Sequence, residues 1–230
     1  MVKGQSKDSA EEELIVARIY AALIDQRLAP GTKLSESVLC EAFGVGRMRV
    51  RRSLLLLADR QLVELHPNRG AFVAKPSPEQ AREIFEARLA IEPPIARMAA
   101  AKAKVSHLRV LERHLLQESQ AHAAGDRQAA IRLSGQFHTS LAQVTGNSVL
   151  QQVVKDLVTR SSLIIGMFGA TGVINCRDDE HAGLMQALRS GDQALAEKLM
   201  ADHIAHIKEH VDLNKPIKAS PDLMAIFKGI

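Results

Sequence analysis

The sequence predicts a mainly α-helical protein in two parts, and three observations carry that prediction. Aromatic residues are 3% of the 230 residues, with no Trp and one Tyr, whereas sandwiches and barrels lean on aromatic and β-branched side chains. Ala, Leu and Gln abound, and apolar residues recur at helical spacing. Three junctions, Gly125-Asp126, Gly146-Asn147 and Gly191-Asp192, repeat one device: Gly closes a helix in the left-handed conformation and Asp or Asn caps the next. With 46% hydrophobic and 24% charged residues the chain is an ordinary globular one, long enough for one large or two small domains.

The first part spans residues 1–76. Residues 1–9 are polar and read as a frayed end. Ser9 precedes Glu11, Glu12 and Glu13, which suit the positive end of a helix, and Ile15, Ile19, Ala22 and Leu23 then share one face. Pro30-Gly31 marks a turn. A second helix starts near Ser35 and runs through Val38, Leu39 and Ala42, and Gly44-Val45-Gly46 breaks it. Four of the next six residues are arginines (Arg47, Arg49, Arg51 and Arg52), followed by the apolar run Leu54 to Ala58. Such a helix is held by its apolar half while its basic end faces outward. By itself that end is as readily a solvated face as a contact for a polyanion.

Context decides between the two. Two short helices about a glycine-containing turn make a helix-turn-helix. Leu62 to Leu65 alternates like a strand, His66-Pro67-Asn68-Arg69-Gly70 is a turn, and Ala71 to Ala74 returns, so a two-stranded wing follows the three helices. The second helix of such a motif enters the major groove. Arg47 and Arg51 share one face, as do Arg49 and Arg52, so one pair can address base edges while the other flanks phosphates. Arg69 at the wing tip is placed for the minor groove or a phosphate. The charge balance agrees: residues 1–76 hold twelve Lys/Arg against nine Asp/Glu, which is most of the net +4.

Here the sequence resembles the GntR family of bacterial transcriptional regulators. The resemblance rests on Leu28-Ala29-Pro30-Gly31-Thr32-Lys33-Leu34-Ser35-Glu36, Phe43-Gly44-Val45-Gly46-Arg47 and Pro67-Asn68-Arg69-Gly70-Ala71-Phe72-Val73. It implies DNA contacts from Arg47, Arg51, Arg69 and Gly70. Family members commonly read Ser-Arg-Thr-Pro-Val-Arg-Glu-Ala-Leu where this chain has Gly46-Arg47-Met48-Arg49-Val50-Arg51-Arg52-Ser53-Leu54. A hydroxyl, a proline and an acid are missing and two arginines, Arg49 and Arg52, are added, so the resemblance implies DNA binding but does not carry over the operator sequence.

Lys75-Pro76-Ser77-Pro78 reads as a stiff linker, and residues 77–230 as an all-α bundle of six to seven helices. The spacing predicts helices at about 79–104, 106–124, 126–145, 147–168, 178–190 and 192–213, with Pro93-Pro94 kinking or breaking the first. A glycine-containing loop near Gly169–Asn175 precedes the fifth. After Asn214 the tail carries Pro216, Pro221 and a short apolar end, Leu223 to Phe227, suited to a partner subunit or a mobile end.

Of nine histidines, His138, His181 and His203 have apolar neighbours at helical spacing, and each is placed to face the bundle interior. Bundles build metal sites from side chains on facing helices, and three neutral imidazoles suit Zn or another divalent first-row ion. Hydrogen-bonded core histidines are the other reading of the same spacing. Arg88 and Arg160 can project into one cavity and bind an anion bidentately, or pair with acids, as Arg88 can with Glu92 four residues on.

The second part resembles the FadR-type C-terminal ligand-binding domain, FCD. The residues that carry this are Arg88 to Glu92, Phe137 to Ala142 with Gly146-Asn147, Asp179-Glu180-His181, and Gly191-Asp192 with His203. The resemblance implies a metal held by His138, His181 and His203 together with an Asp one turn before the first. Ser134, a weak ligand, stands at that position. It also implies a carboxylate effector, whether a small organic acid, a sugar acid or a nitrogen-heterocycle breakdown product.

The resulting expectation is a cytoplasmic, homodimeric regulator, most often a repressor in this family, on a palindromic operator. The alternative is a metal-dependent hydrolase with an appended DNA-binding domain. Against it, no His-Glu-x-x-His pattern is present, and Glu180 beside His181 is expected on a different side of the helix. Cys40 and Cys176 lack metal spacing, no signal peptide is recognisable, and the longest apolar run, Leu163 to Gly172, is too short to cross a bilayer. Reduced thiols and no membrane contact are expected.

Overall fold

The computed structural model describes residues 3–25, 27–169, 178–212 and 222–228. The chain divides into two compact units, residues 1–75 with 216–230, and residues 76–215.

In the first unit, α1 spans Lys3–Ile24, α2 Glu36–Phe43 and α3 Arg47–Asp59. Helix α1 starts upstream of the Ser9 expected from sequence: a nucleated helix propagates through polar residues at little cost per residue. Ile15, Ile19, Ala22 and Leu23 are all buried, against α3. Gly44 ends α2 in the left-handed region at φ 65°, and its turn leads at once into α3. Ser35 occupies the N-cap of α2, but its hydroxyl pairs with that of Ser37 at 3.0 Å rather than with a backbone amide. Along α3 the residues Val50, Ser53, Leu54 and Leu57 are buried while Met48, Arg51 and Arg52 face out. The basic end thus faces out, while of the apolar run Leu54 and Leu57 anchor the helix and Leu55 and Leu56 are exposed.

The wing has three strands, not two. Strand β1 (Lys33–Leu34) joins β2 (Val63–His66) and β3 (Gly70–Val73) in the order β1-β3-β2, both pairings antiparallel. Leu34 lies opposite Ala71, and Val63 opposite Val73. Two residues show no alternation to read, and β1 exists only because β3, far along the chain, offers a free edge. At the wing tip Asn68 (φ 60°) and Gly70 (φ 94°) make the reversal, closed by Arg69 N–H on the His66 carbonyl at 3.1 Å.

The second unit is six helices among the described residues: α4 (Pro78–Lys102), α5 (Val105–Ala123), α6 (Arg127–Val144), α7 (Ser148–Phe168), α8 (Asp178–Ser190) and α9 (Gln193–Glu209). Helix α4 packs against α6, α7, α8 and α9, and its start is fixed by a Ser77/Gln80 capping box. Of the kink or break expected at Pro93-Pro94, no break occurs: the helix runs on through both prolines. Each proline removes one helical hydrogen bond, but Glu92, Pro93, Ile95 and Ala96 are all buried, so packing on both sides of the pair holds the helix together. The glycine junctions behave as read. Gly125, Gly146 and Gly191 have φ of 67°, 71° and 69°, and Asp126, Asn147 and Asp192 accept from amides of the helices they open. The loop expected near Gly169–Asn175 lies, beyond Gly169, outside the described residues, as does Cys176; Cys40 carries a free thiol. Among the described residues no helix is long and apolar enough to cross a membrane. The apolar end of the tail forms a short helix, α10 (Leu223–Phe227), which belongs to the first unit rather than to the bundle it follows.

Asn147 accepts from the amides of Val149 and Leu150 at 3.0 and 3.2 Å. Replacing it (Asn147→Ala) is expected to cost roughly 0.5–2 kcal/mol, read as a fall of about 2–4 °C per kcal/mol in the melting temperature of a domain of this size. An unchanged melting curve would mean the cap contributes nothing.

A buried three-histidine centre and a basic recognition helix

His138 on α6, His181 on α8 and His203 on α9 meet in the core of the second unit, each at most 2% exposed. Nε2 of His203 lies 3.1 Å from Nε2 of His138 and 3.2 Å from Nε2 of His181. Behind each ring stands a carboxylate. Nδ1 of His138 is 2.6 Å from Glu92, Nδ1 of His181 is 2.9 Å from Glu118, and Nδ1 of His203 is 2.7 Å from Glu180. An ionised carboxylate only accepts, so each Nδ1 carries a proton, and in the neutral form of each ring Nε2 turns a lone pair inward. Such a carboxylate-histidine pair is the usual outer support of a metal ligand.

The electrostatics favour that state. Burial drives the pKa of His138 down, with Glu92 only partly offsetting it, and burial with neighbouring His181 and His138 drives His203 well below 6.5. Burial disfavours ionised Glu92, but Arg88 and His138 outweigh it and hold the carboxyl at about 2. Glu118 is likewise lowered, because His181 outweighs burial. Nε2 of His203 faces two others at 3.1 and 3.2 Å, and lone pairs so placed repel one another unless a cation lies among them. A metal ion roughly 2.0–2.1 Å from each nitrogen separates a nitrogen pair by roughly 3.0–3.4 Å, so the spacing fits.

Beside His138 a small cavity opens chiefly between α4, α6 and α7, with one residue each from α5 and α9, lined among others by Arg88, His122, Ser134, Gly135 and Ser162. A Cβ on Gly135 would come within 3.0 Å of Val158 Cγ1 and 3.3 Å of Ser162 Oγ, so glycine permits the close approach of α6 and α7 here. Arg88 faces the cavity with its guanidinium partly committed: Nε and Nη2 donate to Glu92 and Nη1 to Ser161 Oγ at 3.0 Å. The sequence left ion pair and anion site as alternatives for Arg88. The ion pair is made, and with five N–H donors in the group, each Nη keeps one more. Arg160 is half-buried on α7 and is not among the residues lining the cavity.

Glu180 does not face away from the centre, as its neighbour's position implied, but reaches across to His203 on α9. Its other oxygen lies 2.7 Å from Nδ1 of His206, which is half-buried. Glu118 escaped the sequence reading altogether. Its signal was a lone acid on the otherwise apolar face of α5, one helical turn before His122, whose Nε2 is 3.7 Å from it.

In the first unit the arginines of α3 divide. Arg49 pairs with Glu11 at 2.8 Å and Arg52 with Glu12 at 3.3 Å, both on α1. Arg51 Nε donates to both oxygens of Glu36 on α2, at 2.9 and 3.0 Å. Arg47 at the helix start is exposed and makes no ion pair among the described residues. At the wing tip the Arg69 guanidinium lies over the Phe72 ring, 5.6 Å from its centre, beside exposed Gly70.

A winged helix-turn-helix with an arginine-fronted second helix, followed by a helical domain with a polar core centre, defines a ligand-responsive class of DNA-binding regulators. Comparison with known families narrows the class. Residues 12–73 match the "Bacterial regulatory proteins, gntR family" model and residues 83–206 the FCD domain, so the chain belongs to the FCD-bearing branch of the GntR regulators. It is similar to the HTH-type transcriptional repressor RspR of Escherichia coli K12, 30% identical over 185 residues, covering 80% of this chain and 81% of that protein. The galactonate operon transcriptional repressor of the same organism is 29% identical over 216 residues, covering 83% and 92%. Solved structures with the same fold include E. coli McbR/YncC, with a TM-score of 0.70, 19% identity and coverage of 85% and 93%. A GntR regulator from Rhodococcus sp. RHA1 has a TM-score of 0.71, 21% identity and coverage of 87% and 96%. The family is one of transcription regulators and not of enzymes.

The neutral buried rings set a pH dependence for the metal-free protein. Unfolded, His138 and His203 take up protons near 6.5, whereas folded they do not, so unfolding binds protons and stability rises with pH. In chelator, the melting temperature of the helical unit is expected to fall as pH drops through 6.5, and again between about 4.5 and 2 as Glu92 outlasts its unfolded counterpart. A flat melting temperature from pH 7.5 to 5 would contradict neutral buried imidazoles.

Proposed function

We propose that this regulator is a cytoplasmic homodimeric repressor that binds a palindromic operator and releases it when a small carboxylate binds the helical domain. The observation carrying the reading is the convergence of three Nε2 lone pairs beside a cavity fronted by Arg88. His138, His181 and His203 hold a divalent ion, Zn or another first-row metal, with Ser134 in the cavity as a weak neighbour. When bound, the ion supplies a fixed positive charge for an anionic effector. Arg88 then orients the carboxylate through its remaining N–H groups, and Glu92, Glu118 and Glu180 keep the imidazoles in the ligating tautomer. Arg160 is the weaker candidate, since the cavity is lined without it.

On DNA, Arg47 and Arg51 read base edges while Arg49 and Arg52 flank the phosphates. Arg69 and Gly70 follow the neighbouring groove or backbone. Support comes from the exposure of Arg47 and from the Glu36 contact on Arg51, which engages Nε and leaves both Nη groups to face a guanine. A two-fold dimer presents two such helices to two half-sites.

Arg47→Ala is expected to cost about 1–3 kcal/mol of discrimination at one base pair of each half-site, measured on duplexes selected by the wild type from a random pool. Retained discrimination at every position would remove Arg47 from base reading. For the centre, wild-type protein is expected to carry close to one equivalent of metal per chain by elemental analysis, and His203→Ala to lose it while still binding DNA. Metal-free wild type purified without chelator would retire the assignment.

A further inference from the structure

The tail of the chain does something the domain order conceals. Residues 222–228 follow the helical domain in sequence yet belong to the DNA-binding unit. Within α10 three apolar side chains, Leu223, Ile226 and Phe227, are buried, and the helix packs on α2. The Phe227 ring meets that of Phe43, the last residue of α2, at 5.1 Å between centres and 42° between planes. Both ends are fastened. Asp222 accepts from the Met224 amide at 3.1 Å, and Arg27, just after α1, donates through Nη1 to the Ile226 carbonyl at 3.4 Å.

A five-residue helix does not hold together alone in water, where isolated helices shorter than roughly 12–15 residues are marginal. Helix α10 is therefore helical because it is docked, and undocking and unwinding are one event. Its seat matters. Phe43 is followed directly by Gly44, whose left-handed conformation ends α2, and three residues later Arg47 begins the recognition helix. Whatever steadies the end of α2 steadies the turn that sets α3.

We propose that α10 is a C-terminal clasp of the DNA-binding unit. Docked on α2 it orders the turn into the recognition helix, and undocked it weakens operator binding. The chain runs from α9, which carries His203 and ends at Glu209, to α10 at Leu223. The helical unit is thus joined to the DNA-binding unit at both of its ends. The clasp is thereby tied in sequence to the unit that carries His203, and it is the two-state element through which that unit can act on α2.

The proposal rests on α3 being the DNA reader, and its test separates the two. Amide exchange of the full chain is compared among wild type, Phe227→Ala and Phe227→Leu, alongside affinity for a duplex selected by the wild type. Phe227→Ala is expected to speed exchange at Leu39 to Phe43 by about 10-fold or more while leaving α6 around His138 unchanged, since local opening reports local packing. Operator affinity is expected to fall by a similar factor, and Phe227→Leu to restore most of both. A chain ending at Asp212 is expected to show the alanine phenotype in full. Arg47→Ala is the control: it loses operator discrimination with α2 exchange at the wild-type rate, so an error about the recognition helix is distinguishable from an error about the clasp. Equal α2 exchange in wild type and Phe227→Ala would overturn the docking. Faster exchange with undiminished operator affinity would overturn the clasp.

Discussion

Three buried imidazoles paired with three carboxylates, Glu92 and Glu118 buried and Glu180 half-buried, are the constraint around which the helical unit is arranged. Every one of its six helices contributes to the same polar network: Arg88 and Glu92 from α4, Glu118 from α5, His138 from α6, Ser161 from α7, Glu180 and His181 from α8, and His203 from α9. Buried polar groups are tolerated only when paired, and removing one member leaves its partner charged or unsatisfied in a low-dielectric core. The network therefore specifies the relative placement of the helices more tightly than the surrounding apolar contacts, which would accept many similar packings.

The fold was legible in the sequence to the extent that its signals are local. Glycine followed by Asp or Asn marked three helix junctions, and the spacing of Ile15, Ile19, Ala22 and Leu23 marked the buried face of α1, because both depend on neighbouring residues alone. Strand β1 was not legible, since its partner lies nearly forty residues away and two residues carry no period. The centre was legible by half. Three histidines with apolar neighbours at helical spacing pointed to the core, and resemblance joined them. Glu118 and the turn of Glu180 toward His203 depend on how α5 and α8 are rotated in the assembled bundle, which no single helix states. The same limit applied to Arg160, whose helix position permitted the cavity without requiring it.

The recognition unit shows how a surface of like charges is kept stable without DNA. Four arginines in six residues repel one another, and three are met by Glu11, Glu12 and Glu36 from the two neighbouring helices. Exposed pairs of this kind contribute at most about 1 kcal/mol each and are screened by salt, so they do not lock the helix. They lower its self-repulsion without fixing the side chains in place. Arg49 and Arg52, which depart from the family pattern, are the two that reach α1. Their charge is balanced by Glu11 and Glu12 of α1, so the departure bears on how α3 is seated.

Joining the two units functionally requires that an effector bind one arrangement of the helical domain more tightly than another, since a ligand indifferent to the difference shifts nothing. The network supplies a reason for such a preference. Glu92 is shared between Arg88, which faces the cavity, and His138, which faces the metal position. In the proposed reading, an anion on the remaining N–H groups of Arg88 shares that guanidinium with Glu92, the carboxylate that holds His138 in its tautomer, so effector and metal positions would be linked through one side chain. His203, the imidazole that approaches both of the others, sits on the helix from which the chain leaves for the tail. A change felt at Glu92 has to cross only His138 and His203 before it reaches the last helix of the unit, and each step is a direct contact of 3.1 Å or less.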